Sequence, residues 1–388
     1  MNKSESSYAN FKMGKQTETS AVVHIITTLE KGGAENQLLV LAASQIKNGF
    51  SVTVIFLKGN RELLDEFYRK GVVVIDLTST KSVFRQILCV RKSLPGELHI
   101  LHAHLPQAEL IGRFARRKSS RFVISRHFAG QFYPERNQTL SKMLSWLASG
   151  PAEAVIAISD AVKQNLITNS EVRNYNKITR IYYGFDCSTF MINHQEVGRD
   201  ESQKLNVTRI GTIARLADEK DYPTLLKGFK KLLEDIPDAI LEIAGSGPLQ
   251  SKLEDLSSQL GIGDKIIWRG KLPDVRDMLQ NIDVFVLASK FEGFGMVLLE
   301  AMCMNRRIVA AGNSALLEVL GENGAGNFFE TGNPEALAIE IVKVLKVDLD
   351  KMAEAQKAQL RKFSVDELSF ETTQLYSRIL PSNHLALK

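Results

Sequence analysis

The chain has 388 residues, of which 44% are hydrophobic and 24% charged, and its formal net charge is +5. This composition is ordinary for a globular protein, and the length favours two large domains. No apolar run approaches the roughly 20 residues that cross a bilayer. The three cysteines, Cys89, Cys187 and Cys303, are widely spaced and form no CxxC pair. This spacing argues against a disulfide framework or a structural zinc site and favours a reducing cytoplasm.

The chain begins with a polar segment and then alternates between two kinds of pattern. Residues 1–20 lack the apolar h-region of a signal peptide, so we expect a disordered leader. Residues 21–27 are apolar and β-branched, which is typical of a buried strand, and a helical pattern follows them. We then expect strands at 52–57, 72–77, 98–103, 122–125 and 155–159, and helices near 83–91 and 108–117.

The same alternation restarts after a polar gap at about residues 187–206. We expect strands at 207–213, 239–244, 265–268, 284–288 and 307–310, and helices at 222–233, 249–260 and 365–379. Such alternation predicts parallel sheets with helices on both faces. The fold class is therefore α/β, with two Rossmann-like, doubly wound domains (residues 21–190 and 207–364) and a linker at 191–206. Ligands bind at the carboxyl ends of such strands, so the two sheets would face one interdomain cleft.

The strongest motif is a pair of glutamates, Glu292 and Glu300, that spans a predicted turn and helix start. The stretch Phe291-Glu-Gly-Phe-Gly-Met-Val-Leu-Leu-Glu300 follows the apolar run 283–289. Unpaired N–H groups at a helix start attract anions, and glycines let a ligand approach the backbone. A carboxylate can accept from two hydroxyls at once. Phosphate with sugar hydroxyls describes a sugar nucleotide, whereas a dipole-favoured acid near the helix start is the structural alternative for Glu300.

Two further motifs follow the first strand of each domain. Gly32-Gly33 would bring backbone N–H donors to a phosphate or reacting group, although any βα turn can use glycine. Arg215 and Lys220 follow the strand at 207–213 and would clamp a diphosphate. The alternative is surface charge partnered by nearby acids such as Glu219.

Three histidines lie at predicted strand ends. His127 follows the strand at 122–125 and can donate to a substrate hydroxyl or phosphate, or be a packed loop residue. His102 and His104 have metal-ligand spacing, but no third ligand is evident, so structural roles are favoured. The acidic run Asp348-Leu-Asp350 lies far from any strand end, and we interpret it as a helix-start or loop cluster.

Positive charge is concentrated in the first half of the chain. Residues 1–190 hold 25 Lys and Arg against 15 Asp and Glu. Such a basic surface attracts nucleic acid, anionic lipid or phosphorylated ligands, or is a solvated helix end. The cations of one acid-free stretch form the candidate membrane contact: Arg113, Arg116, Arg117, Lys118, Arg121 and Arg126.

The ordered set of motifs resembles the retaining, GT-B-fold glycosyltransferases of glycosyltransferase family 4. The resemblance covers nearly the whole chain after about residue 20. Gly245 lies in Ala-Gly-Ser-Gly-Pro, which matches the family's GxGP turn, and Glu292 to Glu300 matches its E-x7-E motif. Arg215 lies in Ile-Ala-Arg-Leu where the family usually has Gly-Arg-Leu. Asp221 replaces the usual glycine after the lysine, and residues 312–315 lack the common Gly-Gly.

The resemblance implies a role for each residue. His127 would be the acceptor-side or catalytic histidine, and Glu292 would bind the donor sugar and act in catalysis. The cations would stabilise the leaving diphosphate without a metal, Glu300 would bind the ribose, and backbone near Leu272 would contact the base. The donor-binding residues implied are Gly32, Gly33, Arg215, Lys220, Gly245, Leu272, Phe294, Gly295, Met296 and Glu300. The helix in residues 365–388 would cross back to the first domain.

The implied function is transfer of a hexose or N-acetylhexosamine from a nucleotide-sugar, with UDP favoured, to a glycan or lipid-linked acceptor of cell-surface polysaccharide biosynthesis. The first domain would hold the acceptor, with peripheral contact to the inner membrane face. A sugar-nucleotide epimerase of the same architecture is one alternative, distinguished by donor conversion without acceptor. A nucleic-acid-binding module is another, but it gives no reason for the paired glutamates.

Overall fold

The computed structural model describes residues 21–133, 136–192 and 207–381. The expected leader (1–20), most of the expected linker and the tail after residue 381 lie outside the described residues. No described helix has both the length and the apolar character needed to cross a membrane.

The first domain contains a parallel sheet of seven strands. The strands are β1 (Ala21–Ile26), β2 (Ser51–Phe56), β3 (Val73–Asp76), β4 (His99–His104), β5 (Ser120–Arg126), β6 (Ala154–Ala157) and β7 (Ile178–Arg180). Its helices are α1 (Gly33–Lys47), α2 (Leu64–Arg69), α3 (Val83–Ser93), α4 (Pro106–Ala115), α5 (Gln138–Ser149), α6 (Asp160–Thr168) and α7 (Cys187–Met191). The strand order is β3-β2-β1-β4-β5-β6-β7, so the order reverses between β1 and β4.

The second domain contains a parallel sheet of six strands. The strands are β8 (Arg209–Ile213), β9 (Ile240–Ala244), β10 (Ile266–Gly270), β11 (Val284–Leu287), β12 (Arg307–Ala311) and β13 (Asn327–Phe329). Its helices are α8 (Tyr222–Asp235), α9 (Gln250–Gln259), α10 (Arg276–Asn281), α11 (Met296–Cys303), α12 (Ser314–Leu320), α13 (Pro334–Leu345) and α14 (Leu349–Arg361). The order β10-β9-β8-β11-β12-β13 reverses between β8 and β11. The predicted fold class is confirmed.

The strands form where the sequence is apolar on both faces. Five of the six residues of β1 are buried, and all four of β11 are buried. A central parallel strand is covered by helices on both sides, so a continuous apolar run is the expected pattern. Helices begin where a polar side chain satisfies a free backbone N–H, as at Ser82 for α3, Asn137 for α5 and Asp348 for α14.

The last helix, α15 (Val365–Ile379), packs on the first domain. Leu368, Leu375 and Tyr376 belong to the same apolar cluster as β1 and α1. Ser44 of α1 donates to the Ser369 hydroxyl at 2.8 Å, and Asn48 donates to the same oxygen at 2.8 Å. The chain therefore returns to the first domain after completing the second.

A disulfide joins Cys187 at the start of α7 to Cys303 at the end of α11. The sequence argument against a disulfide is wrong for this pair, because spacing along the chain gave no sign that residues 116 apart would meet. The remaining cysteine, Cys89, is a free thiol. The bond ties the segment that leaves the first domain to the helix that carries Glu300.

Candidate active site

The predicted site residues follow the carboxyl ends of strands that lie at, or close to, the points where the strand order reverses. Gly32 follows β1 and His127 follows β5 in the first sheet, whereas Arg215 follows β8 and Glu292 follows β11 in the second. Carboxyl ends of parallel strands share one sheet edge, and a reversal of order opens a crevice there. The two crevices face each other, because residues of both loops are in contact.

The loop between β11 and α11 depends on its two glycines. Gly295 has φ 85° and is the residue before α11, a left-handed conformation that suits glycine. A Cβ on Gly293 would lie 2.7 Å from the backbone oxygen of His127, so a side chain there would separate the two domains. These glycines set the helix start and permit the close approach of the first domain.

Lys220 and Glu292 form an ion pair beside this loop. Ser289 also donates to the Glu292 Oε1 atom at 2.9 Å. Both charged side chains are mostly buried, with 17% and 13% of their surface exposed, so water screens them only partly. The predicted phosphate cation and the predicted sugar-binding acid therefore share one polar cluster.

Arg215 lies nearby and is exposed, and it pairs with Glu219 at 2.9 Å. The backbone N–H of Lys290 donates to the Glu219 carbonyl at 2.8 Å, which ties the β8 loop to the β11 loop. Asp221 adopts φ 48°, so the position needs a left-handed residue. This explains how Asp replaces glycine there, because Asp tolerates that conformation and its carboxylate accepts from Thr224 at 2.8 Å.

Gly245 lies directly against the backbone of the loop that carries Arg215. A Cβ on Gly245, which has φ 138°, would lie 1.9 Å from the Ala214 carbonyl oxygen. A Cβ on Gly247 would lie 2.3 Å from the Leu216 carbonyl oxygen. The two glycines let the turn after β9 pack directly under the backbone that carries Arg215, which is a structural reason for the glycine motif.

Glu300 lies in the fifth position of α11 and is largely enclosed. Burial raises the pKa of its carboxyl to about 7, and the nearby charge of Asp274 adds to the shift. Asp274 lies two residues after Leu272, in the segment between β10 and α10, so the predicted base-side segment and Glu300 are neighbours. A carboxyl with this pKa changes charge within the physiological range.

Phe294 and Met296 differ in what they offer. The Phe294 side chain is 3% exposed and packs on Tyr183 and Phe363, with ring centroids 5.1 and 5.4 Å apart. Its contribution to a ligand is therefore limited to its backbone. Met296 is partly exposed, and its sulfur lies 3.5 Å from the Gln37 amide of the first domain.

The glycine loop of the first domain is partly open. Gly33 has no atom within 4 Å of a hypothetical Cβ, whereas the Glu35 carboxylate covers Gly32. Burial raises the pKa of Glu35, and the Thr28 hydroxyl that donates to it offsets part of the rise. Gln37 accepts from the Gly184 N–H at 3.0 Å and donates to the Gly184 carbonyl at 2.9 Å, which fixes α1 against the start of the crossover.

His127 has both ring nitrogens in hydrogen bonds. Its Nδ1 lies 2.5 Å from the Tyr183 hydroxyl, and its Nε2 lies 3.1 Å from Nδ1 of His104. Burial, together with the neighbouring charge of Arg126, lowers the pKa of His127 to about 3. The ring is therefore neutral, and it donates to a substrate only by giving up one of these partners.

The structure adds a third histidine to the pair seen in the sequence. His24 of β1 lies beside His102 and His104, and one nitrogen from each ring falls within 4.8 Å of the others. His24 could not be recognised as a third ligand from its position in the chain, because it lies 78 positions from His102 and meets it only when β1 pairs with β4. The rings are nevertheless fully hydrogen-bonded to protein groups without a metal.

Direct hydrogen bonds join the two domains. Ser159 of the first domain donates to the Gly293 carbonyl at 2.7 Å. The Glu318 carboxylate of α12 accepts from the backbone N–H groups of Asp160 and Ala161 at 2.7 and 2.6 Å. A carboxylate from the second domain thus caps α6 of the first, where the helix dipole favours negative charge.

Arg126 is not part of a basic surface. It is 5% exposed, and it pairs with Glu109 at 3.0 Å and with Glu171 at 3.1 Å. Burial still raises the pKa of Glu109 to about 7 despite the arginine. Arg121 is also only partly exposed and donates to the Ile379 carbonyl at 3.1 Å. Arg126 must be removed from the predicted membrane contact, because its charge is paired with two buried carboxylates, whereas Arg121 keeps part of its surface exposed, as Arg117 does.

Four of the six predicted cations, together with Arg91, form a basic pocket on the same domain. It is lined by Arg91, Arg113, Phe114, Arg116, Arg117 and Lys118 and has a volume of about 320 Å³. Helix α3 packs on α4, and α4 packs on α5. These three helices also expose apolar side chains: Val83, Phe84, Leu88, Phe114, Leu140, Met143 and Leu147.

Sequence reasoning missed several residues of the site. Tyr183 contacts His127 and Glu35 contacts Gly32, whereas Glu318 joins the second domain to α6, and none of the three lies in a pattern that predicts its partner. Tyr183 stands in Tyr-Gly-Phe-Asp186, which ends the first domain, and this position was the available signal for it. Glu318 has no local signal, because its partners are 157 and 158 positions away.

Comparisons with known proteins agree with this architecture. The family described as Glycosyltransferase Family 4 matches residues 31–189, and Glycosyl transferases group 1 matches residues 195–363. An uncharacterized glycosyltransferase, MJ1607 of Methanocaldococcus jannaschii, is 27% identical over 261 residues, which are 64% of this chain and 65% of that protein. The capsular polysaccharide biosynthesis glycosyltransferase CapM of Staphylococcus aureus is 24% identical over 282 residues, 68% of this chain and 71% of CapM.

The solved structure of Anabaena Alr3699/HepE in complex with UDP and glucose superimposes with a TM-score of 0.77. It is 20% identical and covers 92% of this chain and 99% of that one. The chain spans about two thirds or less of the length of the first curated relatives that it matches.

Two doubly wound parallel sheets whose reversal points face each other define the GT-B class of fold. The two family matches each cover one of these domains. The chain belongs to the GT-B glycosyltransferases of family 4, as the sequence motifs predicted.

Proposed function

We propose that the protein is a retaining glycosyltransferase that moves a hexose or N-acetylhexosamine from a nucleotide-sugar, with UDP favoured, to a glycan or lipid-linked acceptor. The Lys220–Glu292 pair beside the start of α11 carries the proposal. In this pair, a cation that can bind phosphate and a carboxylate that can accept from sugar hydroxyls lie side by side, on the loops that follow β8 and β11. The UDP and glucose bound by the HepE neighbour support a UDP-sugar donor.

The leaving diphosphate would be stabilised by protein charge. Arg215 and Lys220 follow β8, and the free N–H groups at the start of α11 add positive potential. Donor binding would replace the Lys220–Glu292 pair by Lys220–phosphate and Glu292–sugar contacts. The reaction needs no metal in this proposal, because these cations neutralise the charge that develops on the diphosphate.

Other donor groups would bind around this centre. Glu300 would accept from the ribose hydroxyls, and backbone near Leu272 would contact the base. Gly245 would hold the Arg215 loop, and Gly32 and Gly33 would bring backbone N–H groups to the donor or acceptor. His127 would act from the first domain, through the carbonyl that faces Gly293 and through its neutral ring.

We further propose that the first domain binds an anionic membrane surface, where a lipid-linked acceptor of surface polysaccharide synthesis would lie. The cations of the basic pocket would attract the anionic headgroups, and the exposed apolar side chains of α3, α4 and α5 would insert into the lipid. Burial and the charge of Arg116 lower the pKa of Arg113, so these crowded cations favour an anion between them. The role of the relative CapM in capsular polysaccharide biosynthesis supports this acceptor class.

The decisive experiment is a donor screen followed by a transfer assay. UDP-, GDP- and ADP-sugars are added in a thermal-shift assay, and a ligand at 100 times its Kd stabilises by about 2.7 kcal/mol. Product configuration is then read by proton NMR with a lipid-linked acceptor. Release of an inverted anomer would refute retention, and conversion of donor to its epimer without acceptor would favour the epimerase. A shift with DNA alone would favour the nucleic-acid alternative.

A further inference from the structure

The interior of the first domain contains a continuous line of hydrogen-bonded polar side chains that runs inward from Tyr183 through His127. The Nε2 atom of His127 meets Nδ1 of His104 at 3.1 Å, and Nε2 of His104 meets Nδ1 of His24 at 3.0 Å. Nε2 of His24 meets Oε1 of Gln45 at 2.8 Å. Tyr183 begins the line with its hydroxyl on Nδ1 of His127.

A second branch continues from the same glutamine. The Gln45 amide nitrogen lies 3.4 Å from the Tyr376 hydroxyl, which lies 2.7 Å from Nδ1 of His102. Nε2 of His102 lies 2.8 Å from the Ser125 hydroxyl. Five elements are joined in this way, namely α1, β1, β4, β5 and α15.

The orientation of Gln45 determines the position of every proton along the line. Its Oε1 only accepts, so Nε2 of His24 must carry a proton, and Nδ1 of His24 then accepts from Nε2–H of His104. Repeating this step gives Nε2–H on His127 and a Tyr183 hydroxyl that donates to Nδ1. On the second branch, the Tyr376 hydroxyl donates to His102, which donates to Ser125. Every donor in the line meets one acceptor, so no ring nitrogen is left over.

We propose that His104 is a positioning residue for the transfer reaction: it holds His127 in the neutral Nε2–H form and so fixes Tyr183 against the second domain. Tyr183 packs on Phe294, which immediately precedes Gly295, the residue before the start of α11. His127 presents its carbonyl to Gly293 on the same loop. The line therefore connects the interior of the first domain to the loop that carries Glu292. This inference rests on the proposed glycosyl transfer.

The surroundings of the line keep its histidines neutral. Burial lowers the pKa of His24 to about 4 and the pKa values of His102 and His104 well below their usual value, and the rings oppose one another's charge. Arg126 lies beside His127, and Glu35 faces Tyr183, whose pKa is raised chiefly by burial. A proton added to any ring would leave two donors facing each other at one contact.

The first test reads protons directly and needs no activity. Protein with ¹⁵N-histidine is examined by long-range proton–nitrogen NMR, and the four rings are assigned with single variants. We expect four neutral Nε2–H rings that do not titrate between about pH 5.5 and 8. A ring that titrates there, or an Nδ1–H form, overturns the proposal. One equivalent of zinc bound by the protein with ZnCl₂ alone also overturns it, because a metal needs the same nitrogens.

The second test uses two variants that each keep half of the imidazole. His104→Asn keeps an acceptor at the Nδ1 position that faces His127, whereas His104→Gln keeps a donor at the Nε2 position that faces His24. We expect Gln to lower kcat roughly 10- to 100-fold with little change in donor KM, and to add a His127 ionisation to the pH profile. Asn should retain most of kcat and the His127 tautomer. Equal kinetics for two equally folded variants refute the proposal. If wild-type protein transfers no sugar, the proposed function fails, and the NMR result still shows whether the four histidines have the tautomers inferred here.

Discussion

Lys220 and Glu292 are 72 positions apart in the sequence, yet they form an ion pair between the loops that follow β8 and β11. The two charged groups contact each other directly, and both side chains are mostly buried. A donor that binds here must exchange this pair for two new contacts, one to phosphate and one to sugar. The two residues are therefore expected to respond differently to substitution.

Replacing Lys220 should remove phosphate affinity. Lys220→Met leaves Glu292 facing the diphosphate, and loss of one charge-assisted contact is worth about 1.5–3 kcal/mol, or about 10- to 150-fold in Kd for UDP. Glu292→Gln is the matched variant: it keeps Lys220 and removes the opposing charge, so it should bind UDP as well as wild type or better. Calorimetric titration with UDP measures both. Equal losses in the two variants would place the phosphate elsewhere.

Donor affinity should depend on the ionisation of Glu300. Its pKa of about 7 means that the carboxylate, which in the proposed function accepts from the ribose hydroxyls, is lost as the pH falls below 7. Proton linkage then weakens UDP binding by up to about tenfold per pH unit. Glu300→Gln removes this part of the dependence, while UDP's own protonation remains in both proteins. Parallel Kd-versus-pH curves for wild type and variant would contradict the assignment.

The neutral form of the same carboxyl should favour the folded, ligand-free protein, whereas the ionised form favours donor binding. Its folded pKa of about 7 lies above the reference 4.5, so its favourable contribution is complete below pH 4.5 and is lost as the pH rises to 7. Glu300→Gln should therefore raise the melting temperature more at pH 8 than at pH 5 in ligand-free protein. Differential scanning fluorimetry at both pH values checks this. An equal shift of the melting temperature at both would contradict the raised pKa, because Glu300 would then have the same charge at pH 5 and pH 8 in ligand-free protein.

Loss of the buried Arg126 should lower the free energy of unfolding much more than loss of a more exposed cation such as Arg116. Arg126→Ala leaves Glu109 and Glu171 buried without their cation, which costs about 3–5 kcal/mol, whereas Arg116→Ala should cost about 0.5 or less. Urea unfolding separates the two. A small loss for Arg126→Ala would mean that the carboxyls are already neutral.

Charge reversal at Arg113, Arg116 and Lys118 should release the protein from vesicles of anionic lipid. Each cation near such a surface contributes about 1 kcal/mol, so three reversals should weaken binding by roughly 100-fold or more. The control reverses three exposed lysines of the second domain, Lys346, Lys351 and Lys362. Cosedimentation measures both, and equal binding by the two variants would refute the proposed membrane face.

The Cys187–Cys303 bond should be visible in thiol counts and in stability. Denatured protein should show one free thiol, Cys89, and three after reduction. Closing a loop of this length constrains the unfolded chain by about 4–5 kcal/mol in the chain-entropy account, so Cys187→Ser should destabilise clearly, and Cys89→Ser little. Three free thiols without reductant would contradict the bond.

The fold was predictable because its strands are apolar runs and its motifs fall at strand ends. The E-x7-E segment predicts a strand, a glycine-bearing turn and a helix start from local sequence alone, since the three are contiguous there, and the structure has all three. Arg126 was misplaced for a physical reason: its partners Glu109 and Glu171 lie 17 and 45 positions away, and they meet it only when α4 and the segment after α6 pack beside the end of β5. Short elements such as β7, with three residues, carry too little periodicity to be recognised.

The return of α15 to the first domain means that this domain is not one contiguous piece of the polypeptide. Tyr376 and Leu375 complete its apolar interior from the far end of the sequence. A gene fragment that stops after α7 would expose that surface and lose the hydroxyl on which His102 depends. Dissection of the protein into halves must therefore supply α15 to the first half, either as an added peptide or through a rejoined chain.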